Sequence, residues 1–324
     1  MRRNKQNSLN NGQNYENCNI CPRNCGVNRA NGQLGYCGCD DKIRLARAAL
    51  HFWEEPCISG KNGSGAVFFS GCSLRCVFCQ NYDIARAKVG KEISPAKFVD
   101  ILLDLQEQGA NNINLVTPTH YINSIIKGIE KAKEQGLNIP IVYNTSSYEK
   151  VDTLKRLEGI VDIYLPDFKY FNNDLAFKYS RAKDYKEVSE AAIEEMHRQQ
   201  PQNIFKKEND ITGKIITEAE DGYIMQKGVI VRHLMLPNQM EDSKNVIKYL
   251  HETYGNSIYI SMMSQYTPLK HVEEYPELNR KVSRTKYDQL VDYAIDLGVE
   301  NGFIQEEDVA EESFIPEFDY TGLD

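Results

Sequence analysis

After residue 79 the chain contains no cysteine, although it runs to 324 residues. A disulfide framework spreads its bridges over the fold it staples, so this absence excludes one. No window approaches the roughly 18 consecutive apolar residues of a transmembrane helix. Positive charge is scarce: 38 Lys and Arg stand against 46 Asp and Glu, a formal net charge of −8. With no dense run of Lys and Arg among aromatics, this argues against a nucleic-acid-binding surface. The start, MRRNKQNSLNNGQN, has the basic opening of a secretion signal but Asn and Gln where the apolar stretch should follow. A cytoplasmic protein is expected. Hydrophobic residues at 41% and charged residues at 26% leave an ordinary globular chain, neither disordered nor coiled coil.

What is present is concentrated. Nine cysteines fall between Cys18 and Cys79, and close-spaced cysteines in a cytosolic chain read as metal ligands. The chain divides into a polar, disordered tail over 1–17, a Cys-rich segment over 18–60, a main domain over 61–305 and an acidic tail over 306–324 carrying Phe314, Phe318 and Tyr320. That last tail is expected to pack its aromatics across the domain. From Gly65, apolar runs at 66–70, 113–116, 140–143, 161–165, 229–235 and 257–262 alternate with helical stretches, with a long loop or hairpin over 201–227. Ser94-Pro95 supplies a helix start, and Gly109, Gly136 and Gly298 close three helices. Arg44 and Arg47, at the start of and within RLARAAL, lie on one helical face. Near-continuously apolar strands are buried on both faces, as in parallel βα architectures. The fold class is α/β, and the unit count suggests a barrel, complete or partial, over an open sheet.

The densest motif is AVFFSGCSLRCVFCQN over residues 66–81. Cys72, Cys76 and Cys79 are spaced C-x3-C-x2-C just past a strand, with Gly71 at the turn. Three thiolates serve a cubane [4Fe–4S] cluster but leave one iron open, whereas an electron-transfer cluster takes four. An open position invites a substrate or cofactor ligand, as at catalytic zinc. CSLRCVFC, with aromatic Phe78 before the third cysteine, resembles the signature of the radical S-adenosylmethionine (SAM) enzymes. The resemblance implies a [4Fe–4S] cluster whose open iron is chelated by SAM. It also implies reductive cleavage of SAM to a 5′-deoxyadenosyl radical and hydrogen abstraction from a substrate.

Further stretches are similar to the pyruvate formate-lyase activating-enzyme group, in its branch with an amino-terminal cysteine segment. They are CNICPRNCGVNR, GYCG, LVTPTHY, VYNTSSYE, VDIYLPDFKY, VIVRHLMLPN and ISMMSQYTP, spread over residues 18–268. This implies an incomplete (β/α)6-type barrel, a flavodoxin- or ferredoxin-type electron donor and a protein substrate such as a glycyl-radical enzyme. It also implies SAM contacts at Phe78, Thr117, Asn144, Lys169, Arg232 and Gln265. Thr-Pro-Thr-His at 117–120 replaces the Gly-Gly-Glu-like motif that holds SAM's ammonium group. Asn144 stands where an Asp is matched, which puts an associated monovalent cation in doubt. Within the strand, Arg232 must meet an anion, either SAM or a structural salt bridge. His233 faces the other way and is read as structural. For His120 a plain helix-start role is the leading reading. Met263 and Tyr266 are open between cofactor contact and packing.

Cys18, Cys21, Cys25 and Cys37 give C-x2-C-x3-C-x11-C, a pattern that suits tetrahedral zinc or a second [4Fe–4S] cluster. Cys39 competes with Cys37 for the fourth position, and Cys57 reads as a buried hydrophobe. Two functional readings stand: a SAM-cleaving radical enzyme of unassigned catalytic residues, or an iron–sulfur or zinc electron-transfer protein without SAM chemistry.

Overall fold

The computed structural model describes residues 15–209, 214–305 and 316–324. Most of the expected amino-terminal tail and the 306–315 part of the acidic tail, with Phe314, lie outside the described residues. Disorder up to residue 17 does not hold: the Tyr15 carbonyl accepts from the Arg29 N–H, and the Arg29 guanidinium lies over the Tyr15 ring, 4.6 Å from its centre.

The strands in chain order are β1 (Arg44–His51), β2 (Ser64–Phe69), β3 (Lys91–Glu92), β4 (Ile113–Val116), β5 (Ile141–Thr145) and β6 (Ile163–Pro166). They continue with β7 (Ile204–Lys207), β8 (Ile215–Ile216), β9 (Tyr223–Leu234), β10 (Tyr259–Met263) and β11 (Gly302–Ile304). The central sheet runs β11-β10-β9-β6-β5-β4-β2-β1-β3. Every neighbour pair from β2 to β11 is parallel, and β1 and β3 extend one edge antiparallel. The buried runs expected from the sequence are thus the parallel core. All residues of β2, β4, β5, β6 and β10 are buried.

Helices return the chain between these strands. Pro95–Glu107 starts as expected, with the Ser94 hydroxyl accepting from the Lys97 N–H and Pro95 in the first turn. Its apolar face packs on helix Ile122–Glu134 at Gly128, where a Cβ would lie 2.6 Å from Phe98 Cε1. The described residues of the 201–227 segment form the expected hairpin: β7 pairs antiparallel with the first half of β9 and with β8. Gly228, at φ +143° with Asn203 against its α-carbon, marks where β9 leaves the hairpin and joins the parallel sheet.

One element departs from expectation. LARAAL is not a helix; it is β1, paired with β2 through a bulge between Leu45 and Arg47. Leu, Ala and Arg favour helix, but propensity is a weak prior worth only tenths of a kcal/mol per residue, and it loses to pairing on both edges. β3 and the carboxy-terminal residues share the second edge: Arg44 and Leu45 pair with Glu92 and Lys91, Tyr320 N–H donates to the Ala46 carbonyl, and Ala48 N–H donates to the Thr321 carbonyl. Phe318 packs on Phe68 with ring centres 5.5 Å apart, so the described part of the acidic tail does lay an aromatic on the domain. Arg47, expected on a helix face, pairs with Asp319 at 2.9 Å. Gly128→Val should force apart the two helices it joins and cost about 1–3 kcal/mol by overpacking. Denaturant melts of the two proteins check it, and an unchanged midpoint would contradict the packing described.

Candidate active site

The C-terminal ends of the parallel strands open into a cavity of about 240 Å³. Cys72, Cys76 and Cys79 line it, and so do Phe78, Thr117, Asn144, Lys169, Arg232 and Gln265. The structure therefore brings every expected cofactor contact to one place, from β4, β5, β6, β9 and β10 or the loops after them. Those loops have parallel strands behind them, which is why residues 72 to 265 converge.

The cysteine loop leaves β2 through Gly71, at φ +91°, a left-handed conformation that glycine tolerates. The Val77 N–H bonds to the Tyr179 carbonyl, and the Leu74 N–H points at Cys72 Sγ from 3.3 Å. Phe78 is buried in a box of Tyr170, Tyr179 and Tyr266, with centroid separations of 6.1–6.5 Å. Thr117 takes φ +61°, rare for a β-branched residue, and is held by its N–H to the Asn144 carbonyl.

The charged floor is a linked network. Asp167 receives Arg232 Nε on one oxygen at 2.7 Å and Lys169 Nζ on the other at 2.6 Å. Arg232 extends to Glu54 at 3.0 Å and donates to Asn144 Oδ1 at 2.7 Å, while Asn114 donates to Glu54 at 2.9 Å. Burial would raise the Asp167 carboxyl, but the Arg232 and Lys169 charges outweigh it and hold it below the usual range. Glu54 moves the other way: burial lifts it more than Arg232 lowers it. Arg232 thus forms structural salt bridges inside the sheet, with Asp167 and Glu54, the alternative to a contact with SAM. Lys169 engages one oxygen with one N–H and still lines the cavity.

Glu54, Trp53 and His51 line the same cavity and were missed. His51 ends β1 and the other two follow it, and once that segment is misread as a helix nothing places HFWEEP beside Arg232. His233 is structural as expected, its ring nitrogens 2.8 Å from the Phe168 carbonyl and 2.9 Å from Ser243 Oγ. His120 sits behind the site, 2.8 Å from the Ser70 carbonyl. Met263 lines the cavity, whereas Tyr266 spends its hydroxyl on the Leu278 carbonyl and packs against Phe78.

Fit to a cluster can be judged from the thiols. Burial, then Cys76 and Cys72 beside it, push the Cys79 thiol up to about 12. Burial likewise raises Cys72. Such thiols stay protonated unless a cation takes the charge. Among the described residues no three Cys, His, Asp or Glu side chains converge on one metal ion. No cysteine beyond these three lines the cavity, so the residues fit a three-thiolate [4Fe–4S] site.

Residues 66–205 match the sequence profile of the Radical SAM superfamily. The matched stretch includes the cysteine loop and the strand ends that carry Thr117, Asn144 and Lys169. It is 28% identical over 290 residues to an uncharacterized protein of Methanocaldococcus jannaschii, a match covering 86% of this chain and 75% of that one. Among solved structures it is similar to Streptococcus suis SuiB bound to S-adenosylmethionine, at 14% identity and TM-score 0.45, over 72% of this chain and 48% of that one. It is also similar to the FeFe-hydrogenase maturase HydG from Carboxydothermus hydrogenoformans, at 14% identity and TM-score 0.47, over 77% and 55%. The chain spans about half the length of these solved structures. Among the described residues no helix is long and apolar enough to cross a membrane.

Beside the cavity, Glu149 ties two of its loops together. Its Oε1 accepts from Thr119 at 2.5 Å and Thr145 at 2.6 Å, and burial pushes its carboxyl up to about 7. The folded protein then holds a proton here that the unfolded chain, titrating near 4.5, releases. Stability should fall as pH rises from about 4.5 to about 7, by about 3 kcal/mol from this group. Asp242, raised to about 6, acts in the same direction. Glu149→Gln should remove the larger part of that slope in denaturant melts of the metal-free protein at pH 5 and 7. An identical slope in the variant would refute the assignment.

Proposed function

We propose that the protein is a radical SAM enzyme of the activating-enzyme-like kind, built on a partial (β/α)6-type barrel with an amino-terminal Cys-rich extension. Cys72, Cys76 and Cys79 hold the [4Fe–4S] cluster. When bound, that cluster supplies one electron for reductive cleavage of SAM and so a radical that takes hydrogen from the substrate. Lys169 offers a point charge to the SAM carboxylate. Phe78 walls the cluster loop, Thr117 and Asn144 present polar groups at the β4 and β5 ends, and Gln265 is placed for adenine or ribose. Arg232 acts on the cofactor through Asn144 and Asp167 as well as directly. The Asp-to-Asn change at 144 gives Arg232 a neutral partner and speaks against a cation there.

A protein substrate such as a glycyl-radical enzyme, a flavodoxin- or ferredoxin-type donor and a cytoplasmic setting follow from the same resemblance. The amino-terminal cysteines belong to this reading as a second metal site, zinc or cluster.

One observation carries the proposal: three cysteines and Phe78 of one loop and five residues from separate strand ends line a single cavity with no fourth cysteine. That also disfavours a simple electron carrier, which needs four ligands. Anaerobically reconstituted and reduced protein should convert SAM to 5′-deoxyadenosine. Cys76→Ala should reduce this to background, and Lys169→Met should raise the KM for SAM about 10–100-fold, the worth of one charge-assisted bond. No 5′-deoxyadenosine from protein with an intact cluster would end this reading.

A further inference from the structure

We propose that the face outside the cysteine loop docks an acidic one-electron carrier protein, so that electrons enter from behind the cavity. This rests on the reading of a cluster at Cys72, Cys76 and Cys79. The chain is acidic overall, yet five cations gather on this face: Arg23, Arg75, Lys150, Arg181 and Lys183. Two aromatic rings arrange most of them. Arg23 and Arg75 lie against the Tyr36 ring, 4.1 and 5.3 Å from its centre. Arg181 and Lys183, both exposed, lie against Phe177 at 5.6 and 5.2 Å. The two groups are joined, because the Arg23 guanidinium donates to the Arg181 carbonyl. Lys150 is tied in through the Asn24 side chain, next to Arg23.

The partners of these cations do not neutralise them. Arg23 donates to the carbonyls of Ser73 and Ser180, and Lys150 to an amide oxygen. Among the described residues none of the five forms a salt bridge. Lys178, on the helix that carries Phe177, does form one, with Glu277 at 2.7 Å. A carboxylate stands close: Asp184 accepts at 2.7 Å from the hydroxyl of Tyr148, whose ring also faces Arg23. It leaves the sum positive. Concentrated charge on a protein of opposite net sign steers a partner of complementary charge to one face. Phe177, 40% exposed among the cations, offers the aromatic contact that protein interfaces favour.

Position selects the kind of partner. Arg75 lies between Cys72 and Cys76 in the chain. The Ser73 carbonyl accepts from Arg23 at 2.7 Å, and the Val77 N–H donates to the Tyr179 carbonyl at 2.8 Å. Helix Asn173–Ser180 and the residues after it therefore sit directly on the cysteine loop. None of the five cations lines the cavity, so a protein seated here leaves the cavity open to SAM and substrate. Electron transfer weakens steeply with distance, and the face touches the loop itself. The exchange is a single electron: the carrier loses one, the cluster gains one, and no atom moves. A nucleic acid also favours positive charge, but it gains nothing from closeness to the cysteines.

The reconstituted full chain is titrated with a purified flavodoxin, and affinity is measured beside the rate at which reduced flavodoxin bleaches the cluster's visible absorption. Wild-type affinity should fall about tenfold from roughly 50 to roughly 200 mM salt. R181E/K183E should weaken affinity and slow bleaching by about 10–100-fold. Lys131→Glu, a reversal on helix Ile122–Glu134 away from this face, should change neither. Dithionite, a small reductant that needs no docking, should drive SAM cleavage equally in all three proteins. Absent or salt-independent flavodoxin binding, or unchanged affinity in R181E/K183E, overturns the proposal. So does a transfer RNA that binds wild type more tightly than flavodoxin and is lost in the same variant. No SAM cleavage by any of the proteins under dithionite, with flavodoxin binding as expected, would instead count against the proposed function. Should the double variant not fold, Lys183→Gln and the salt dependence of wild type decide.

Discussion

A cation taken out of water must meet an anion, and in this protein that constraint organises the interior. Arg232 and Lys169 are largely buried at the cavity floor, and the Asp167 carboxylate between them holds both. The attraction compensates desolvation only where each oxygen is engaged in good geometry, as both are here. The same contact is a joint between elements. Asp167 follows β6 and Arg232 sits in β9, and the Phe168 N–H bonds to the Arg232 carbonyl at 2.8 Å. The sheet and the charge network therefore fix each other at the point where the cavity opens.

The amino-terminal segment obeys the same rule by a different route. Arg23 reaches the carbonyls of Ser73 and Ser180, at 2.7 and 2.8 Å, while its guanidinium stacks 4.1 Å from the centre of the Tyr36 ring. Arg29 does the equivalent toward His120. Each arginine spans from the Cys-rich segment to the loops that follow β2 and β4. Their carbonyl partners position without neutralising. The segment is part of the wall behind the cysteine loop, where Cys39 Sγ and the Cys37 carbonyl stand against Gly71.

What could be read from the sequence was set by which interactions are local. The parallel strands were legible because burial on both faces writes a continuous apolar run. The cysteine loop was legible because three ligands within eight residues need no tertiary knowledge, and Ser94 because a cap and its partner are three residues apart. β1 was not, since its pairing is with β2 and with Tyr320 and Thr321, far along the chain, against a local composition that leans to helix. Glu54 went with it. Arg29 was equally silent: an arginine in a polar loop reads as exposed, and only its place under Tyr15 and His120 shows otherwise.

The charges at the cavity floor also bear on what the site receives. Glu54 and Glu55 stand beside Arg232, Asp167 lies between Arg232 and Lys169, and Asn144 adds a neutral oxygen. Burial raises Glu54 and Glu55; it acts on Asp167 too, but there the Arg232 and Lys169 charges outweigh it and hold the carboxyl low, so Asp167 is the strongest of the three acids. An aspartate at 144 would add a fourth acid beside Arg232; asparagine keeps a neutral oxygen there. A buried cation is compensated only where an anion engages it in good geometry. Lys169 and Arg232 both line the cavity, so a ligand carboxylate beside Lys169 would add one more such contact.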